Sequence, residues 1–291
     1  MSFLVIILSL LVDRFLGSLQ DMRRWDWVPA WADWLAARIG ERDWWAGPWG
    51  LLTTLGSLLL AFGLVFQGLS ATSGLLGFLF ALLILVFCLG PRSLDDDVEG
   101  LLEARARGDN EAAGHFAQRI HGGREEEGDE GIGAAIDGVL VQAHERLFGV
   151  IFWFAILGPL GALLYRMAVV LGRIESEVVD GDAGGAAAVA PVARRLHAIL
   201  AWPVARLTAL SYGLSGSLID AMGRLTPRLT NIGGDHERLL ADVGRGALRL
   251  EEEAGEGSDD EWVREAHDLV RRTLVIWLVV LALLTLYGWF F

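Results

Sequence analysis

The chain contains no lysine; all 24 of its basic residues are arginine. A Schiff-base or general-base lysine is therefore excluded, and so is the phosphate loop G-x-x-x-x-G-K-[ST], whose lysine reaches the nucleotide phosphates. Cysteine is nearly absent: Cys88 stands alone, inside an apolar run. It can form no intramolecular disulfide and no thiolate zinc site, and reads as a buried, inert thiol. The 37 acidic residues leave a net charge of −13, which argues against nucleic acid, because phosphate binding needs a basic face. No polybasic run marks docking to anionic lipid. G-x-S-x-G, H-E-x-x-H and dinucleotide fingerprints are missing, as is the internal repeat that would favour a transporter.

What is plentiful is apolar residue, 53% of the 291 positions, and it is unevenly spread. Long stretches carry almost no charge, while the charged residues gather in two blocks. That pattern predicts an all-α, polytopic integral membrane protein with about four to six membrane helices and cytoplasmic helical segments. The first run, Phe3 to Leu19, lacks a basic n-region and a small-residue cleavage site, so it reads as a retained helix rather than a signal peptide. Asp13 and Arg14 lie near its end. Seven tryptophans follow within residues 20–49. Trp27, Trp31 and Trp34 share one helical face, and the segment either lies at the headgroup level or packs its rings on neighbouring helices.

Residues 51–67 and 74–90 predict a hairpin of two spans, joined through the uncharged Gly68–Ser73. Arginines precede the pair (Arg23, Arg24, Arg38, Arg42) and follow it (Arg92, Arg105, Arg107). The positive-inside rule then puts residues 20–49 and 91–147 in the cytoplasm. Block 91–147 holds 14 acidic and 6 basic residues; block 220–272 holds 13 and 8. Between them, Phe148 to Val170 forms a further run with a kink expected at Gly158-Pro159. Residues 180–190 read as a flexible link. His197 to Leu218 carries Arg206 and Pro203 and can be read as crossing or as re-entrant. Thr273 to Phe291 is the last span. The resulting segments are 1–90, 91–147, 148–219, 220–272 and 273–291.

A charge within an apolar run is expensive, about 3 kcal/mol at a helix centre, so such residues are informative. Arg166 and Arg206, with Arg14, are candidate anion ligands for a phosphate or carboxylate. Their candidate acidic partners are Asp13, Glu145, Asp220 and Asp235. Snorkelling or simple ion pairing would also explain the arginines. His144-Glu145 reads as part of a surface helix, since adjacent helical residues point apart. Asp235, after Gly233-Gly234, reads as a helix cap. The run Glu125 to Glu127 with His121 and Asp129 matches no cation-binding spacing, and no metal site is expected.

Three stretches carry a family resemblance: Val12-Asp13-Arg14-Phe15-Leu16; Trp202-Pro203-Val204-Ala205-Arg206-Leu207-Thr208 with Tyr212-Gly213-Leu214-Ser215-Gly216; and Leu283-Leu284-Thr285-Leu286-Tyr287-Gly288. They resemble AmpE, an inner-membrane protein associated with β-lactamase induction. The run from Leu147 to Arg166, with Gly158-Pro159-Leu160-Gly161-Ala162 and Tyr165-Arg166, is similar to the more distant CobD/CbiB family of adenosylcobinamide-phosphate synthases. The chain departs from the latter where that family has a His-Pro unit (here Pro29-Ala30) and an Asn-Thr-Leu-Asp unit (here Val169-Val170-Leu171-Gly172).

The AmpE resemblance implies a non-enzymatic accessory role in β-lactamase regulation and cell-wall sensing, in the bacterial inner membrane. The bilayer, a membrane or cytoplasmic protein partner, and a muropeptide or nucleotide ligand would be its partners, with no cofactor. The CobD/CbiB resemblance implies the alternative, a membrane ligase dependent on ATP and Mg²⁺. On either reading a topology reporter placed near residue 110 or 260 is expected to report the cytoplasm; a periplasmic signal would reverse the orientation.

Overall fold

The computed structural model describes residues 2–15, 25–39, 44–89, 94–122, 132–174, 184–226, 235–250 and 259–288. Among them every regular element is helical, which is what a hydrocarbon solvent demands of a chain that must satisfy its own N–H and C=O groups. In chain order these are α1 (Ser2–Phe15), α2 (Trp27–Ile39), α3 (Pro48–Thr72), α4 (Gly74–Cys88), α5 (Leu94–Ala106), α6 (Asn110–Ile120) and α7 (Ile132–Ala143). A π-helical turn, His144–Phe148, leads into α8 (Gly149–Leu157). Then come α9 (Pro159–Gly172), α10 (Gly185–Ser215), α11 (Leu218–Leu225), α12 (His236–Ala247) and α13 (Asp259–Leu286). Among the described residues, three helices are long and apolar enough to cross a bilayer: α3, the helix Gly133–Leu157, and α13. Three shorter apolar helices lie at Phe3–Asp13, Gly74–Cys88 and Pro159–Gly172. The protein is an all-α membrane protein.

The chain forms two compact units. The first is built from α1 to α4, α8, α9 and the first half of α10. Its hairpin α3–α4 turns on Ser73 alone, so α3 extends through the residues expected to form the connection. The Ser73 hydroxyl then accepts from the Leu75 amide at 3.3 Å and caps α4. Leu52, Leu60 and Leu64 on α3, and Leu75, Leu79 and Leu83 on α4, are exposed. So large an outward apolar surface suits lipid rather than water.

The tryptophan-rich segment packs inward at three of its rings. Trp25 and Trp45 are buried, and Trp31 Nε1 donates to Ser57 Oγ on α3 at 3.1 Å. Trp34 stays largely exposed, stacked on Trp31 at 4.9 Å. Asp33 on α2 accepts from the Ala186 amide at 2.8 Å, and Trp45 Nε1 donates to the Gly185 carbonyl at 3.0 Å. Together they fix the start of α10, so residues 185–190, expected in a link, are already helical.

The run Phe148 to Val170 is not one kinked helix. Gly158 adopts a φ of +67°, a left-handed conformation open to glycine, and Pro159 starts a new helix there. The half before the break belongs instead to a helix that began in the acidic block, running from α7 through the π turn into α8.

The second unit contains α5 to α7, the π turn, the second half of α10, and α11 to α13. α7 packs against both α12 and α13. Contact with α12 is close: a Cβ on Gly244 would lie 2.5 Å from Leu140 Cδ1. The apolar face expected on α12 is buried at Leu239, Leu240, Val243 and Ala247. Tyr212 on α10 donates to the Leu140 carbonyl at 2.8 Å, and Trp277 Nε1 on α13 donates to Ser211 Oγ at 3.1 Å.

Two carboxylates of α5 tie the unit together. Asp97 is buried and meets two guanidinium groups, Arg146 Nη1 at 2.8 Å and Arg119 Nε at 3.1 Å. Arg146 also donates to Gln142 Oε1 at 3.0 Å and to the Arg119 carbonyl at 2.8 Å. Asp95 meets His267 Nε2 at 2.6 Å and Arg271 at 3.3 Å, both on α13. The hydrogen bond with His267, followed by the attraction of His267 and Arg271, holds the Asp95 carboxyl below the usual carboxylate range despite partial burial.

Replacing Asp97 by Ala takes the shared carboxylate from Arg119 and Arg146. Because Arg119 is partly exposed and Arg146 keeps Gln142 and the Arg119 carbonyl, the cost is expected to fall below the roughly 3–5 kcal/mol of a fully buried pair. A marked drop in the melting temperature of the detergent-solubilised protein is the expected readout; an unchanged value would remove Asp97 from this role. For Asp95 the sign follows from its depressed folded pKa: the stabilisation is present above the unfolded value, about 4, and is lost as pH falls through the folded one. Asp95→Asn should therefore be less stable than the parent at pH 7, and the gap should close under acid. A gap independent of pH would show that charge is not the cause.

Candidate functional site

The site best defined within one unit lies where the π turn meets the start of α12. A π turn carries one residue more than the α ladder allows, seen here in the Gly149 amide bonded to the His144 carbonyl. Such turns are rare and concentrate at functional sites. His144 and Glu145 are both buried, which corrects their reading as a surface helix. The imidazoles of His144 and His236 lie 5.8 Å apart between centroids. A carboxylate oxygen of Glu145 lies within 4.8 Å of a ring nitrogen of His236. His236 is the first residue of α12, held there by Asp235, whose Oδ1 accepts from the amides of Glu237 at 3.0 Å and Arg238 at 3.4 Å. The expected cap at Asp235 is thus present.

Beside this group α7 and α12 line a cavity of about 540 Å³ that includes His121, Asp137, Gln142, Asp235, Asp242 and Arg245. Arg245 makes a two-pronged pair with Asp137, at 2.7 and 2.6 Å. A buried carboxylate with two imidazoles can hold a cation or pass a proton, and the cavity offers both signs of charge to a substrate. Mg²⁺ takes one or two carboxylates and completes its shell with water and phosphate oxygens. Glu145 fits that demand with oxygen; the imidazoles are better suited to proton transfer.

The remaining candidates fall elsewhere. Arg166 on α9 is buried in the first unit, its Cζ 5.9 Å from the Trp25 ring centroid. Beside it Tyr165 lies 5.5 Å from the His197 ring. Arg206 in the second unit lies over its own helix's Trp202, 4.2 Å from the ring centroid, and donates to the Trp202 carbonyl at 3.1 Å. Asp220 accepts a hydrogen bond from the Ser217 hydroxyl and pairs with Arg249 at 3.2 Å. These contacts, the Ser217 bond first, keep its carboxyl below the ordinary range. Asp13 is half-buried on α1. The side chain of Arg14 lies outside the described residues, as do Glu125 to Glu127, Asp129, Arg23, Arg24, Arg42 and Arg92. Sequence reasoning missed the meeting of His236 with His144 and Glu145. The local signal for it was the polar stretch Gln142 with His144-Glu145-Arg146, set directly ahead of the apolar run that begins at Leu147.

The family model described as CobD/Cbib protein matches residues 6–236. The chain belongs to the CobD/CbiB family. The match takes in α2 to α11 and ends at His236, so the π turn and its partner are inside it. The chain is 35% identical over 137 residues to the cobalamin biosynthesis protein CobD of Chromobacterium violaceum, covering 46% of this chain and 42% of that protein. To the cobalamin biosynthesis protein CobD of Stutzerimonas stutzeri it is 28% identical over 226 residues, 71% of this chain and 73% of that protein. No solved structure matches.

These matches overturn the signalling role in β-lactamase regulation that was expected from the AmpE resemblance. Two of the three stretches that carried it, residues 12–16 and 202–216, lie inside the region matched to CobD/CbiB. Such stretches report a scaffold, and a scaffold hosts more than one function. The Gly158-Pro159 to Tyr165-Arg166 signature was the better guide.

Proposed function

We propose that this CobD/CbiB family member is a synthase of cobalamin assembly, of the adenosylcobinamide-phosphate synthase type, seated as a multi-pass protein in the bacterial inner membrane. The family match over residues 6–236 is the observation that carries the reading. The buried carboxylate–imidazole group supports it, because ligation needs a proton acceptor and a place for charge. On this reading the reaction uses ATP with Mg²⁺, which would neutralise charge on the phosphates when bound. Glu145 is the side chain proposed to hold the cation. His144 and His236 are proposed to accept and return the proton of the attacking group. Arg166 is retained as an anion ligand in the first unit, where its buried guanidinium would meet a carboxylate or phosphate.

The test is complementation. Expressed in a bacterium that lacks its own CobD/CbiB synthase, the protein is expected to restore growth that depends on cobalamin synthesis. Glu145→Gln, nearly the same in shape, should lower the rate with corrinoid substrate and Mg²⁺-ATP by about a hundredfold or more. Membrane-inserted protein that fails to complement would sink the proposal. Full activity in Glu145→Gln would sink the assignment of that residue.

A further inference from the structure

Another cavity in the second unit, about 680 Å³, lies far along α12 from the His236 group, at the helix's opposite end. Its lining includes Ser217, Arg249, Glu261, Trp262, Glu265 and Arg272. Arg249 follows the end of α12 with a φ of +55°. The Leu250 amide bonds back to the Arg245 carbonyl at 3.2 Å and the Arg249 amide to the Gly246 carbonyl at 3.1 Å, the helix ending that normally takes glycine at this position. A bulky residue held in that conformation points to a use for its side chain. Asp220 braces one arginine at 3.2 Å, and Glu265 braces Arg272 at 3.2 Å.

The membrane-facing surface leads to the same place. On α13 the residues Glu261, Glu265, Arg272, Val275, Val279, Leu283 and Leu286 fall along one face by helical spacing. That face is charged as far as Arg272 and, from Val275 onward, exposed and apolar. α10 carries a matching exposed row, Leu207, Leu210 and Leu214, that stops just before Ser215, also in the cavity wall. Hydrogen bonds at Ser211–Trp277 and Ser215–Thr273 clamp the two helices side by side. A polar cavity therefore sits at the head of two apolar rows.

We propose that this cavity holds the headgroup of a zwitterionic phospholipid of the phosphatidylethanolamine kind, with its acyl chains along the exposed rows of α10 and α13. Two arginines take the phosphate diester. Glu261, Glu265 and the face of Trp262 take the ammonium. An anionic lipid such as phosphatidylglycerol would draw Arg272 from Glu265 with its phosphate and return no cation to that carboxylate. The inference is independent of the ligase reading.

The experiment titrates the purified full-length protein with phosphatidylethanolamine, phosphatidylglycerol and water-soluble glycerophosphoethanolamine, followed by native mass spectrometry. Phosphatidylethanolamine should bind about tenfold more tightly than phosphatidylglycerol. Arg249→Gly suits the backbone conformation and so preserves the fold; combined with Arg272→Gln it should abolish that preference. Arg107→Gln, an exposed arginine paired with Glu103, should leave it intact. Equal binding of the two lipids, or full binding in the double variant, overturns the proposal. So does glycerophosphoethanolamine competing as well as the lipid, which would mean a soluble ligand.

Discussion

The second unit hangs on one carboxylate in a place where a lone charge could not survive. Asp97, buried on α5, holds Arg119 at the end of α6 and Arg146 in the π turn. Burying the Asp97 carboxylate alone would cost several kcal/mol, and the two guanidinium groups offset that cost. Because Arg146 is the neighbour of Glu145, the same clamp fixes the backbone that carries the buried carboxylate of the candidate site. Asp137 with Arg245 repeats the device between α7 and α12. The acidic block that seemed a solvated excursion is thus partly the wall of a site.

The membrane character was legible because hydrocarbon leaves few options. Long uncharged runs had to be helices, and α3, α4 and α13 appear near where hydropathy put them. What hydropathy cannot separate is a helix facing lipid from one facing protein. The most apolar windows of α3 and α13 are 28% buried, whereas that of Gly133–Leu157 is 72% buried. Apolar side chains satisfy both surroundings equally well. The break at Gly158 was visible as Gly-Pro, but its consequence was not. A kink and a full restart differ by one φ angle, which no residue pattern records.

The site was legible in pieces. Asp235 announced a helix cap through its residue type and the glycines before it. Glu145 was singled out, yet as a counter-ion for arginines, because its true neighbour His236 lies 91 positions away. Only the packing of α12 on α7 brings them together, and that packing needs the small Gly244 against Leu140. Arg166 and Arg206 looked alike in sequence, each a charge in an apolar run. One is buried beside Trp25 and the other lies over its own helix's Trp202. The difference follows from which way each helix face turns, and a single charge in a run does not report it.

The π turn has a consequence for the lineage of the chain. An added residue advances everything beyond it by about 100° around the helix axis. Side chains of α8 therefore present a different face from the one a plain helix would show after α7. In genetic terms such a turn corresponds to one codon more than an uninterrupted helical ladder would need. A relative without the turn would align with a one-residue gap at 144–148 and could not present His144 and Glu145 in the same way. The cheapest mark of which relatives share this turn is thus a difference in length rather than in residue type.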